Sequence, residues 1–329
     1  MMRQLVCLLM FMVLTGCSSY DKRTYTGLKT TAADSRFGTV IFAIPDAALP
    51  NVEKSRGCLT EFSDGELEAI FGQKDGNKNL AAAVLAAPLI VAGVSFAATY
   101  FIESINAAID EYKKGLSGSF GAAGTANITP EKIRCIGIVR GLLGEPENIP
   151  TPTDDKLVFL YPKLGFQDYP AFYLELKVES KIKNDGGKKS GSLTLTPVYL
   201  SYADSVAKNH GSGEKHLGLA LALSTTAQKK AGEIEEDKAF AVFHHDMGRL
   251  EIGKHYDQDL LKGTGASASL DDNALKNEAF NITAVVSDSE DPGIAFEVLS
   301  TTFVDRKSDL KKALEEAITN AINKTKTNP

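Results

Sequence analysis

From about residue 157 onward, apolar and polar residues alternate in short runs, the period of half-buried β-strands. Phe172, Leu174, Leu176 and Val178 interleave with Tyr173, Glu175, Lys177 and Glu179. Leu217, Leu219, Leu221 and Leu223 line one face of another strand, with Gly218, Ala220 and Ala222 on the other. The same reading predicts strands at Leu157–Tyr161, Leu193–Tyr202, Phe240–His244, Phe280–Val286 and Ala295–Val304, with a hairpin loop over Asn184–Gly191. A closing helix is predicted from Ser308, an N-cap residue, with Leu310, Ala313, Leu314, Ala317, Ile318, Ala321 and Ile322 on one stripe. In the first half, Thr39–Ile44 reads as a strand stopped by Pro45, and Ile133–Val139 as another. Ser63 and Glu66 form a capping-box pattern for a short helix that ends near Gly72.

One segment breaks this texture. Leu80–Ile102 is uncharged and mostly apolar, and as a helix it would run about 34 Å, enough to cross a bilayer. The amphipathic positions Phe101, Ile105, Ala108, Ile109 and Tyr112 extend the predicted helix to about Lys114. Glycines at 115, 118, 121 and 124 then predict a flexible stretch of small residues. Three states of the long segment compete: a buried core helix, a helix that packs against a second copy through its alanines, and a membrane insert. The alanine content, Pro88 and Gly93 favour burial in protein.

The chain opens on a run of apolar residues, Leu5–Leu14, behind Arg3, the pattern of a secretory signal too short to span a bilayer. It ends in Leu14-Thr15-Gly16-Cys17, which resembles the lipobox of bacterial lipoproteins. The resemblance covers only the first 19 residues. It implies cleavage before Cys17, a diacylglycerol thioether on that cysteine, and stable attachment to a lipid bilayer through the acyl chains. Ser18 rather than aspartate after the cysteine implies, on the same resemblance, sorting to the outer membrane facing the periplasm, with the inner membrane as the alternative. Cys7 would leave with the signal and Cys17 would be acylated, so in an oxidising compartment the two remaining of four cysteines, Cys58 and Cys135, most simply form one disulfide, the other possibility being two buried thiols. A bridge would place both cysteines on one side of any membrane and so forbid a single crossing by Leu80–Ile102.

These readings divide the chain into a signal peptide (1–16), a polar lipidated tether (17–36), a helix-containing region (37–143), a linker rich in proline and acids (144–156) and an antiparallel β domain with its terminal helix (157–329). The expected fold class is α+β, a β-sheet or sandwich body with a long Ala-rich helix and a C-terminal amphipathic helix. Because its strands follow one another in sequence, the second region is expected to hold a core of its own.

Chemistry is sparse. Hydrophobic residues make up 43% of the chain and charged ones 24%, ordinary for a globular protein, and the net charge of −6 argues against a nucleic-acid partner. No P-loop, dinucleotide, nucleophile-elbow or HExxH pattern occurs, so no enzyme class or cofactor is indicated. His244, His245 and His255 cluster in sequence with Asp246 and Asp257, but adjacent histidines on a strand point to opposite faces, which leaves these five as weak site candidates with no metal assigned. His216, at the head of the leucine strand, is equally weak. The acids of Asp288–Gly293 read as a turn. Tyr161, Phe166, Tyr169, Phe172 and Tyr173 crowd one region, as a recognition patch or, preferably, the plug at the end of a β-sandwich. The expected function is a binding or structural role in an envelope assembly, with an envelope-protein partner or self-association. The alternatives are a periplasm-facing hydrolase and a membrane-inserting protein using Leu80–Ile102.

Overall fold

Strands dominate wherever β-branched, aromatic and leucine residues alternate with polar ones. The computed structural model describes residues 37–46, 58–63, 90–95, 117–144, 160–167, 169–207, 213–225, 239–261, 265–276 and 279–290. All lie in one compact unit, Thr31–Pro329. The described strands are β1 (Phe37–Pro45), β2 (Ile90–Ser95), β3 (Ser117–Ala126), β4 (Ile133–Leu142), β5 (Phe172–Asp185), β6 (Lys188–Tyr202), β7 (Glu214–Thr225), β8 (Ala239–Glu251), β9 (Lys254–Asp257), β10 (Ala266–Leu270) and β11 (Phe280–Ser289). Two one-turn helices join them, α1 (Leu160–Lys163) and α2 (Asp272–Lys276). Asp271 caps α2 by accepting the Ala274 N–H at 2.8 Å.

Every pairing among the described strands is antiparallel. Sheet A runs β10-β6-β5-β4-β1-β2, with β9 also on β6, and sheet B runs β3-β11-β7-β8. β10 and β9 share one edge of β6, at Gly191–Leu195 and Tyr199–Tyr202. Edge strands of the two sheets approach each other on both sides, β2 beside β3 and β10 beside β8.

The period of two sorts side chains between layers. Ile41, Ile138, Leu174, Leu195, Leu219, Phe243 and Ile282 point between the sheets and are essentially inaccessible to water. Each such burial contributes roughly 1.5–3 kcal/mol. The opposite positions of β1, β4 and β5 build a second core on the outer face of sheet A. There Val40, Phe42, Val139 and Tyr173 meet Leu59 and Phe62 from the 58–63 segment, and Leu160, Tyr161 and Phe166 around α1.

The architecture corrects the expected α+β class: 69% of the described residues are strand, in antiparallel sheets. The long Ala-rich helix is overturned at its centre, where Ile90–Ser95 is β2, paired with β1. Ile90, Val91 and Val94 are β-branched, Gly93 is a poor helix former, and the neighbouring β1 supplies the partner that periodicity cannot reveal. A bulge accommodates Ala92 between the Ile41 and Phe42 pairings. No helix among the described residues is long and apolar enough to cross a membrane. The C-terminal helix from Ser308, the Ala295–Val304 strand and the helix after Ser63 fall outside the described residues.

Smaller expectations also change. The glycine-rich stretch is β3, an ordered strand laid along β11. Leu160 and Tyr161 open a helical turn rather than close a strand. The predicted hairpin loop shrinks to Gly186-Gly187, both at positive φ (57° and 86°), the two-residue turn that matches strand twist. The two predicted regions share one core. β4 pairs with β5 across the 144–156 segment, and β3 pairs with β11.

Candidate functional site

The outer face of sheet A gathers the most chemistry. Cys58 and Cys135 form a disulfide with Cα atoms 5.6 Å apart, and both residues are buried. Cys135 belongs to β4 and Cys58 opens a 3-10 turn at Leu59–Glu61, so the bridge ties the covering segment to the sheet. Next to it, Glu175 of β5 is 1% exposed. Its Oε1 accepts the Tyr173 hydroxyl at 2.6 Å, and its Oε2 accepts the Thr60 hydroxyl at 2.5 Å and the Thr60 N–H at 3.2 Å. Burial pushes the Glu175 carboxyl above its ordinary range, against the hydrogen bonds from Thr60 and Tyr173, which favour the anion. Burial also drives the Tyr173 hydroxyl well above its usual pKa, with the Glu175 charge adding to it.

An aromatic chain borders this carboxylate. Tyr161 makes edge contacts with Tyr169 and Tyr173, and Tyr173 lies 6.0 Å from Tyr199. Tyr199 in turn stacks on His255, its hydroxyl 2.8 Å from Nδ1. The crowded aromatics are therefore structural: Tyr161, Phe166, Tyr169 and Tyr173 fill the second core, and Phe172 turns into the first.

A second buried carboxylate closes one end of the sandwich. Asp288 on β11 is fully buried. Its Oδ2 accepts the Tyr202 hydroxyl (3.1 Å), the Ser205 hydroxyl (2.7 Å) and the Val206 N–H (2.8 Å), and its Oδ1 accepts the Ala207 N–H (3.1 Å). These bonds fasten the end of β6 and the 203–207 loop, from sheet A, to sheet B. The loop lies so close to β3 that a Cβ on Gly118 would stand 2.7 Å from the Ala207 nitrogen, which explains a glycine there. Arg140 closes the same end, its guanidinium 4.7 Å from the Phe37 ring centroid and 5.3 Å from that of Phe120. Burial raises the neighbouring Asp204 carboxyl, while the Ser205 N–H and the Arg140 charge pull it down. The turn expected at Asp288–Gly293 thus begins inside a strand, and sequence alone carried no sign that its first acid is a buried anchor.

The histidine group comes apart. His244 and His245 do face opposite sides of β8, but His255 belongs to β9 in the other sheet. Asp257 ends β9, exposed and apart from them. Asp246 instead meets His216, Nε2 to Oδ1 at 2.7 Å, and also accepts the Gly248 N–H. Burial raises the Asp246 carboxyl, but the His216 hydrogen bond and charge outweigh it and hold the group below its usual range. His245 projects into the inter-sheet core at 2% exposure, and neither ring nitrogen has a hydrogen-bond partner among the described residues. Burial lowers its pKa to about 4, helped by His244, whose own value burial also lowers to about 4. Among the described residues no group of three or more His, Cys, Asp or Glu is placed to hold a metal. Cys17 lies outside the described residues.

The fold and these sites define a class: a two-sheet antiparallel β protein, disulfide-linked, with one sheet face capped by its own chain. No protein-family model matches the chain, and no curated protein matches it.

Proposed function

We propose that the protein is a lipid-anchored component of a bacterial envelope assembly, held at the outer membrane through acylated Cys17 and serving a binding or structural role on the periplasmic side. The observation that carries this reading is the Cys58–Cys135 bridge. Disulfides persist in oxidising compartments, and a lipobox-like Leu14-Thr15-Gly16-Cys17 directs a chain to one. The tether from Ser18 to Arg36 spans at most about 65 Å, enough to hold a folded body clear of the bilayer or against it. The buried carboxylates Glu175 and Asp288 are spent on fastening loops to sheets, which suits a rigid scaffold.

The test compares wild type with Cys17→Ser in cells fed labelled palmitate, followed by purification from detergent-solubilised envelopes. Label in the wild type alone, and a stoichiometric partner set retained with it, are the expected results. Equal label in both proteins sinks the anchor. A wild type that purifies alone sinks the assembly role.

A further inference from the structure

Among the described residues, the outer face of sheet A is covered only over part of its length. Beyond Lys177 the β5–β6 arm continues to the Gly186-Gly187 turn, and its outer positions are no longer apolar. The register aligns them: Lys181 opposite Ser192, Lys183 opposite Ser190, and Thr194 between Glu179 and Ser267. Lys181, Lys183 and Ser190 are exposed. Glu179 is answered by Lys177 at 3.1 Å, and Asp185 stands opposite Lys188. Neither Lys181 nor Lys183 forms an ion pair among the described residues. The arm therefore presents unneutralised ammonium groups among hydroxyls, on a chain of net charge −6. Ammonium and hydroxyl donors together suit phosphate oxygens.

We propose that this lysine and hydroxyl face of the β5–β6 arm rests on the anionic phospholipid headgroups of the membrane that anchors the chain. The inference rests on the anchoring reading. A body tethered by 18–36 is confined within reach of a negatively charged surface, and each lysine near such a surface strengthens attachment about fivefold at physiological ionic strength. The remainder of the chain, net acidic, is repelled from that surface, so the arm orients the body.

The experiment uses the acylated chain on vesicles of phosphatidylcholine alone, and of phosphatidylcholine with about 30% phosphatidylglycerol. An amine-reactive reagent is applied, and modification of each lysine is followed by mass spectrometry. Lys181 and Lys183 are expected to react several-fold more slowly on the anionic vesicles than on the neutral ones, with the difference erased at high salt. Equal rates on the two vesicles overturn the proposal. Failure of the anchor reads separately: a chain without acyl groups stays in the supernatant of neutral vesicles. In that case its partition onto anionic vesicles is measured against Lys181→Glu/Lys183→Glu, with a drop of about tenfold or more expected. Equal partition overturns the proposal. Charge reversal keeps the strand edge protected against pairing with another chain, so edge protection alone would leave the partition unmoved.

Discussion

Strands β5 and β6 run through both ends of the outer face of sheet A, yet one end is a core and the other a surface. At the proximal end Val40, Phe42, Val139 and Tyr173 are covered by the disulfide-held 58–63 segment and the residues around α1. At the distal end the same face of β5 and β6 carries lysine, serine and threonine. The inner face does not share this division: Leu174, Leu176 and Val178 run into Ile182 against one continuous core. A sheet face is therefore not a uniform layer. It becomes interior only where the chain supplies something to cover it, and here a buried carboxylate and a disulfide hold the cover down.

The sharpest way to break this contrast is to release the cover. Cys58→Ala/Cys135→Ala should cost about 2–5 kcal/mol in urea unfolding, because the bridge closes a long loop of the unfolded chain and anchors the cap. Native-state hydrogen exchange should rise in 58–63 and around α1, with the β5–β6 arm unchanged. A uniform rise through both ends would show that the cap is not a separate unit.

Acid probes the layer beneath both ends. His245 has a folded pKa of about 4 against about 6.5 unfolded, so the unfolded chain binds the extra proton between those values. Its contribution, about 3 kcal/mol, is fully present above pH 6.5 and is lost as pH falls towards 4. Thermal midpoints measured from pH 7 down to pH 4.5 should fall, and His245→Leu should flatten the decline. An unchanged slope in that variant would rule out this histidine as its source.

The smallest contrast sets Glu175 against Lys181. Glu175→Ala leaves the Tyr173 and Thr60 donors unsatisfied beneath the cap and should cost about 1–3 kcal/mol, while Glu175→Gln retains an acceptor and costs less. Lys181→Ala, on the open end, should stay within about 0.5 kcal/mol. Equal losses at the two positions would erase the distinction between covered and open face.

Much of the sheet was legible because alternation is a local property. Thr39–Ile44, Ile133–Val139, Phe172–Glu179, Leu193–Tyr202, Leu217–Leu223 and Phe280–Val286 all lie within observed strands. β3 was missed because Gly118, Gly121 and Ala123 offer no hydrophobic period, and close approach by neighbouring chain makes small residues the right ones there. β2 was missed because a uniformly apolar run fits a buried strand as well as a helix. The aromatic crowd was expected to plug the end of a sandwich, but Tyr161, Phe166, Tyr169 and Tyr173 instead fill the outer face of sheet A, with Phe172 in the inner core.

What the sequence determined by itself are the quantities written in nearest neighbours: which residues alternate, that the glycine-rich Asn184–Gly191 stretch reverses the chain, and the lipobox-like stretch before Cys17 that directs the expectation of an anchor. The cysteine pair was expected from count and compartment, and the bridge is present. Tertiary structure alone decided that strands from both halves interleave in shared sheets, that Asp288 and Glu175 are buried anchors, and that His255 parts from His244 and His245. The reason is physical. Alternation is set by the chirality and pleat of a single strand, whereas burial of a carboxylate or a histidine depends on hydrogen-bond donors and covering atoms from residues distant in sequence, such as Thr60 over Glu175 and the 203–207 loop around Asp288.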